Sequence, residues 1–264
     1  MSRDGVSFRF NNAIARLPGK SIVEGIRAED RGAPDLNTFM EQHRRYVDAL
    51  EAAGVTVTVL PALEDFPDSV FVEDAAFCLP ERSVALRPGA LTRRGEAAIM
   101  AADLLDLGHS VAGLAGAGCI DGGDILLTDK TIMVGASERT DAAGIEALAL
   151  LVADWGYTVT PVETPSGVLH FKSDCCVLDS DTVLATSRLY ASGCFDAFDV
   201  LQVPEGEEAA ANAIRVNDKV LMPEGFPATA QLLRHKGYSL VELPVTQAAL
   251  LDGGLSCMSL RFNH

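Results

Sequence analysis

A polar residue recurs in one slot along this chain of 264 residues. It is Glu73 in residues 70–77, Asp121 in 119–126, His170 in 168–173, Asn212 in 211–214 and Cys257 in 255–260. The steps between the five are 48, 49, 42 and 45 residues. A period of that size marks an array of similar supersecondary units and constrains the fold more than composition does. If the units ring an axis, two acids, a histidine, an amide and a thiol meet there, the outline of a cysteine hydrolase or transferase.

The stretches between the slots follow one plan. Four segments carry apolar residues at helical spacing. They hold Leu36, Phe39, Met40, Tyr46, Val47 and Leu50, then Ile99, Met100, Leu104 and Leu105. The third holds Ile145, Leu148, Leu151, Val152 and Trp155, and the last Ala230, Leu232 and Leu233. A glycine ends each helix and opens a short strand: Gly54-Val-Thr-Val, Gly108-His-Ser-Val, Gly156-Tyr-Thr-Val and Gly237-Tyr-Ser-Leu. Each unit therefore reads strand, turn, strand, helix, strand, with a hairpin such as 120–127 against 131–134, and the alternation gives an α/β fold. The fourth unit is the weakest, since residues 190–200 show no helical stripe. The first has only residues 8–15 ahead of its helix, so 255–262 are expected to complete it and close the ring. No linker or charge run divides residues 1–264, which read as one domain.

Apolar residues make up 48% and charged residues 22%, as in a soluble globule. No apolar run approaches the ~18 residues of a membrane span. The start, Met1-Ser-Arg-Asp, lacks a signal-peptide pattern, so a cytoplasmic location is expected. A net charge of −16 repels a phosphate backbone and argues against nucleic-acid binding, whereas a small cationic substrate would be attracted. The cysteines at 78, 119, 175, 176, 194 and 257 form no Cys-x-x-Cys pair, and free thiols are expected. Cys78, Cys119, Cys175 and Cys176 lie in apolar runs and read as core.

Cys257 stands apart because it occupies the repeated slot, after Leu251-Asp-Gly-Gly-Leu-Ser. A cysteine nucleophile needs a base near in space, usually a histidine distant in sequence. His170 alone among the histidines holds the slot; His43 and His235 fall on helices, His109 in a closing strand and His264 at the terminus. Asp121 and Asp124 flank Gly122-Gly123, a pair that marks close approach by a backbone or ligand. Asp68, Glu73 and Asp74 add carboxylates within apolar sequence, where acids need partners. Acids converging with a histidine and a thiol suit a planar cation with many donors, and guanidinium is the obvious one.

At this point the chain resembles the dimethylarginine dimethylaminohydrolases. The strings are Phe66-Pro-Asp-Ser-Val-Phe-Val-Glu-Asp, Arg87-Pro-Gly-Ala-Leu-Thr-Arg-Arg-Gly-Glu, Asp121-Gly-Gly-Asp and Ser137-Glu-Arg-Thr-Asp. Leu169-His-Phe-Lys-Ser and Asp252-Gly-Gly-Leu-Ser-Cys continue the match, which runs from about residue 8 to the end. The resemblance implies the pentein fold, a five-bladed α/β propeller whose strand-strand-helix-strand units form a pseudo-fivefold ring. It also implies hydrolysis at the guanidino carbon of an Nω-methylated L-arginine, giving L-citrulline and methylamine or dimethylamine.

By the same resemblance Cys257 is the nucleophile, His170 the general acid/base, and Asp121 the acid that orients the histidine and substrate. Asp74 would bind the guanidinium with Glu73 and Asp68 beside it, while Arg93 and Arg139 hold the α-carboxylate. The backbone of Leu251 would line the site. Residues 17–34, with Ile26, would form a lid. No metal or organic cofactor is expected, and zinc on Cys257 and His170 would be inhibitory or adventitious. The expected partner is a small guanidino amino acid, with no membrane association, in a monomer or homodimer. Arginine and agmatine deiminases share the fold but carry His-x-Asp, where this chain has Lys172, and agmatine has no carboxylate for Arg93 and Arg139. Amidinotransferases are longer. A non-catalytic pentein that binds ribosomes would have no use for Asp121, His170 and Cys257 together.

Overall fold

The repeated pattern builds five three-stranded sheets of one plan in a computed structural model that describes residues 4–80 and 82–263. Residues 1–3, Glu81 and His264 lie outside the described residues, and so do the expectations placed on the first residues and on His264. In each sheet a central strand pairs antiparallel with one neighbour and parallel with the other. A helix makes the parallel crossover, as such a connection requires.

The central strand β1 (Asn12–Arg16) runs parallel to β2 (Thr56–Leu60). The second sheet holds β3 (Ala76–Cys78), β4 (Ser83–Ala85) and β5 (Val111–Gly113), and the third β6 (Ile125–Leu127), β7 (Ile132–Ala136) and β8 (Val159–Glu163). β9 (Cys175–Val177), β10 (Thr182–Ala185) and β11 (Asp199–Gln202) follow, then β12 (Ile214–Val216), β13 (Lys219–Pro223) and β14 (Ser239–Leu243). Finally β15 (Leu260–Phe262) returns to β1 and completes the first sheet, with Ile14 opposite Leu260 and Asn12 opposite Phe262.

The crossover helices are α1 (Leu36–Ala52), α2 (Arg94–Asp106), α3 (Ala142–Ala153), α4 (Ser187–Ala191) and α5 (Pro227–His235). Asp35 and Asp141 cap α1 and α3 by accepting from Thr38 N and Gly144 N, both at 2.8 Å. Gly54, Gly108, Gly156 and Gly237 all have positive φ, the conformation expected after a helix end. α1 buries Phe39, Tyr46 and Leu50, α2 Met100 and Leu104, and α3 Ile145, Leu148 and Val152. At ~1.5–3 kcal/mol for each such side chain, this burial dominates helix attachment. Met40 and Leu105, counted in the sequence stripes, face outward instead. α4 has five residues, too few to show a periodic stripe. None of the helices among the described residues is long and apolar enough to cross a membrane. All six cysteines are free thiols.

The slot residues lie on or directly beside 3-10 turns rather than on strands. These turns, Val72–Ala75, Gly122–Asp124, Phe171–Ser173, Glu208–Ala211 and Ser256–Met258, lead into β3, β6, β9, β12 and β15. Glu73 and Cys257 sit inside their turns, Asp121 and His170 just before theirs, and Asn212 just after. One 3-10 turn is too short to break an apolar run visibly, which is why the sequence reads as strand.

Neighbouring turns are tied to one another. Gly123 N donates to Asp74 Oδ1 (2.9 Å), Phe171 N to Asp124 Oδ1 (2.8 Å), and Asn212 Nδ2 to the Lys172 carbonyl (3.1 Å). Ser256 N donates to Asn212 Oδ1 (3.1 Å), and Arg261 Nη2 reaches Glu73 Oε1 (3.2 Å). Gly122 is required where the first two turns meet, since a Cβ there would lie 1.9 Å from the Glu73 carbonyl oxygen.

Candidate active site

On one side of this layer of turns lies a cavity of about 210 Å³. It gathers Cys257, His170, Asp74, Asp68, Arg93 and Arg139, with Leu251 and Ile26 in its walls. Eight of the ten residues singled out in the sequence therefore meet in one place, from segments spread over the chain.

Asp121 stands behind the wall, wholly buried, with Oδ2 3.0 Å from His170 Nε2 and Oδ1 accepting from Gly89 N at 2.8 Å. It touches the histidine, and it does not line the cavity. Burial opposes a charge on His170, but Asp74, the Asp121 hydrogen bond and Asp124 outweigh it and raise the imidazole to about 9. Gly123 leaves room for the ring, because a Cβ there would sit 2.8 Å from His170 Cγ and Nδ1.

Glu73 is the second residue outside the cavity, a departure from the sequence expectation. Successive residues of a 3-10 turn point about 120° apart, so Asp74 faces the cavity and Glu73 does not. Glu73 Oε1 accepts from Lys172 Nζ (2.7 Å) and Arg261 Nη2 (3.2 Å), and the residue lines a separate cavity of about 90 Å³.

Arg93 is already committed to protein partners. Its guanidinium binds Asp74, both carboxylate oxygens of Glu96, and the carbonyls of Phe71 (2.9 Å) and Asp68 (3.2 Å). Burial opposes its charge, yet the carboxylates hold it above its ordinary value. Asp74 stays below the usual carboxylate range, because His170 and Arg93 overcome its burial. Burial raises Glu96 and Asp68. Glu96 was not singled out in the sequence, although its i,i+3 spacing from Arg93 was a readable signal. By contrast, the Arg139 side chain has no hydrogen-bond or ion-pair partner among the described residues, which leaves its donors for a ligand.

Cys257 lies beside Ser256, whose Oγ is 3.8 Å from its sulfur. Burial, with Glu73 and Asp74 adding to it, pushes the thiol up to about 12. The resting sulfur is therefore protonated, and a cation nearby would release its proton.

Within residues 17–34, a 3-10 turn, Lys20–Glu24, precedes a loop whose Ile26, Arg27 and Ala28 line the cavity. Ile26 N donates to Asp68 Oδ1 (2.9 Å) and Ala28 N to Asp252 Oδ2 (2.6 Å), while Arg31 pairs with Asp252 Oδ1 (3.0 Å). Asp252, also missed in the sequence, holds this segment from a positive φ of 54°.

Ligand atoms of Asp74, Asp121 and His170 come within 4.8 Å of one another, a spacing that suits a metal ion. Arg93 already occupies Asp74, Asp121 already pairs with His170, and the imidazole is cationic at neutral pH. A metal ligand set needs a neutral imidazole and free carboxylate oxygens, which these contacts do not leave.

A family model described as N,N dimethylarginine dimethylhydrolase, eukaryotic, matches residues 29–177. The N(G),N(G)-dimethylarginine dimethylaminohydrolase of Pseudomonas aeruginosa is 36% identical over 96% of this chain and 100% of its own. A cysteine-to-serine variant of the enzyme from that organism, solved with citrulline, superposes with a TM-score of 0.92 at 35% identity over 97% of this chain and 100% of its own. A histidine-to-glycine variant of a dimethylarginine dimethylaminohydrolase, solved as an adduct with S-methyl-L-thiocitrulline, also reaches 0.92 at 35% identity, over 96% of this chain and 100% of its own. On the match over most of its length, the chain belongs to the dimethylarginine dimethylaminohydrolase family.

Proposed function

We propose that the protein hydrolyses Nω-methylated L-arginine to L-citrulline and methylamine or dimethylamine. One observation carries this: a single cavity brings a thiol, a carboxylate-bound cationic histidine, a buried carboxylate and an uncommitted arginine together. Arg139 takes the substrate's α-carboxylate, Asp68 stands by its α-ammonium group, and Asp74 receives the guanidinium. Arg93 acts chiefly by fixing Asp74.

The docked guanidinium cancels the negative field of Glu73 and Asp74, so Cys257 releases its proton to solvent on binding. The thiolate attacks the guanidino carbon and forms a C–S bond. His170, held through Nε2 by Asp121, gives a proton to the methylated nitrogen, the C–N bond breaks, and the amine leaves. The S-linked amidinium remains. Neutral His170 then takes a proton from water as the water attacks the same carbon; the C–S bond breaks as the remaining hydroxyl proton passes to the departing sulfur, and citrulline leaves with the thiol and the protonated His170 restored. Fixed carboxylates hold the positive charge throughout.

We also read the five sheets as blades of a closed ring within one catalytic domain. The bonds that run from turn to turn and the return of β15 to β1 support this reading.

Incubation with Nω,Nω-dimethylarginine, arginine and agmatine, with assay of citrulline and amine, tests the reaction. Citrulline plus dimethylamine from the first, lost in Cys257→Ser, is expected. Ammonia from arginine as the main product would make the protein a deiminase instead.

A further inference from the structure

The reaction proposed above gives Lys172 no part, yet Lys172 forms a buried ion pair with Glu73, on the turn packed against that of the nucleophile. Lys172 Nζ lies 2.7 Å from Glu73 Oε1, and both side chains are almost fully withdrawn from solvent. The turn bearing Glu73 packs against the turn bearing Cys257. Glu73 Oε2 is buried and receives no hydrogen bond among the described residues. Arg261 joins the two turns, donating to Glu73 Oε1 and to the Ser256 carbonyl at 3.1 Å. The Lys172 carbonyl accepts from Asn212, whose Oδ1 receives Ser256 N. Lys172 is thereby fixed to the Cys257 turn from two sides.

Two isolated charges at this depth are costly, and a pair of this kind is weak support for stability. A role in the field at the sulfur accounts for it better. We propose that Lys172 is a positioning residue for catalysis: it neutralises Glu73 behind Cys257 and so sets how readily the thiol ionises. This rests on the reading of Cys257 as the nucleophile.

Other charges around the sulfur limit the effect. Asp74 shares the turn of Glu73, His170 precedes the turn of Lys172, and Arg261 stands on β15. Across the cavity are Asp68, Arg93, Glu138 and Arg139, with Arg27 on the covering segment and Asp252 on the strand of sequence leading to Cys257. Among them Glu73 is the carboxylate that contributes most to holding the thiol protonated. A neighbouring unit charge, partly screened, shifts a protonation equilibrium by about one unit, or about tenfold.

The test is the rate of Cys257 alkylation by iodoacetamide at fixed pH, with Cys257→Ser as blank, beside the pH profile of kcat/KM. Lys172→Met should slow alkylation about tenfold and move the profile to higher pH, with KM for dimethylarginine little changed. Glu73→Gln should do the opposite, faster alkylation together with a kcat/KM profile moved to lower pH and activity retained, a combination that unfolding does not produce. The double variant should return close to wild type, and Lys172→Arg should keep the wild-type rate. Equal alkylation rates in wild type and Lys172→Met, or the same sign of change in Lys172→Met and Glu73→Gln, would overturn the proposal. If wild type forms no citrulline, the reaction falls, and the alkylation series still decides the role of Lys172.

Discussion

Replacing Asp121 with asparagine keeps the shape of the side chain and changes the chemistry it offers His170. Oδ2 accepts from Nε2 at 3.0 Å, whereas the amide nitrogen that replaces it can only donate. The imidazole must then accept through Nε2, and its cation loses a charge-assisted partner. Such a bond is worth about 1.5–3 kcal/mol. At 1.36 kcal/mol per pH unit, the imidazole should fall by about one to two units from its value of about 9. At pH 8.5 wild type is mostly protonated and the variant mostly neutral. If His170 delivers the proton to the departing amine, kcat at pH 8.5 relative to pH 6.5 should drop about three- to twentyfold in Asp121→Asn. An NMR titration of the His170 ring gives the shift directly, and kcat between pH 6 and 9.5 gives its consequence. A titration unmoved from about 9, or a kcat loss that is uniform across pH, would refute the reasoning. The pair also bears on stability, with a definite sign. Because the folded histidine lies above its unfolded value, its contribution is complete below about pH 6.5 and is lost as pH rises through about 9.

Three other outcomes are expected. His43, buried in α1, is held down to about 4 by desolvation, so its contribution is full above pH 6.5 and is lost as pH falls to about 4. Across that range wild type should lose up to about 3 kcal/mol more than His43→Leu, read from urea midpoints; parallel pH dependences would count against it. Gly123→Ala puts a methyl group 2.8 Å from the His170 ring and should lower kcat about 100-fold while the fold melts cooperatively; an unchanged kcat would contradict the placement of the ring. Asp252→Ala removes the acceptor of Ala28 N and Arg31 and should raise KM about tenfold. Hydrogen exchange at residues 26–31 should quicken with it, and protection equal to wild type would deny Asp252 its hold on the covering segment.

What could be read from the sequence was whatever rests on periodicity. Leu104, Leu148 and Leu233 fall at helical spacing because one face of each helix is buried, and Gly54, Gly108, Gly156 and Gly237 stand where the chain must take a positive φ. The completion of the first sheet by β15 followed from counting strands. The histidine and cysteine were visible because they hold the repeated slot, and not because of apolar surroundings, in which a cysteine is at home.

What periodicity does not carry is direction within a turn. Glu73 and Asp74 are neighbours in sequence and diverge only because a 3-10 turn rotates one toward the cavity and the other toward Lys172. Arg93 looked free for a ligand until the packing brought Glu96, Phe71 and Asp68 around it. Asp252 acts through its backbone conformation and through partners more than 200 residues away, neither of which is written locally.

The account turns on an S-linked intermediate on Cys257. Enzyme turning over Nω,Nω-dimethylarginine should be quenched in acid, digested and weighed by mass spectrometry. The peptide bearing Cys257 is predicted to gain the mass of the substrate less dimethylamine, and the gain should disappear after the substrate is exhausted. Citrulline formation with that peptide unmodified at every quench time, in enzyme trapped at pH values that slow hydrolysis, would contradict covalent catalysis by this cysteine.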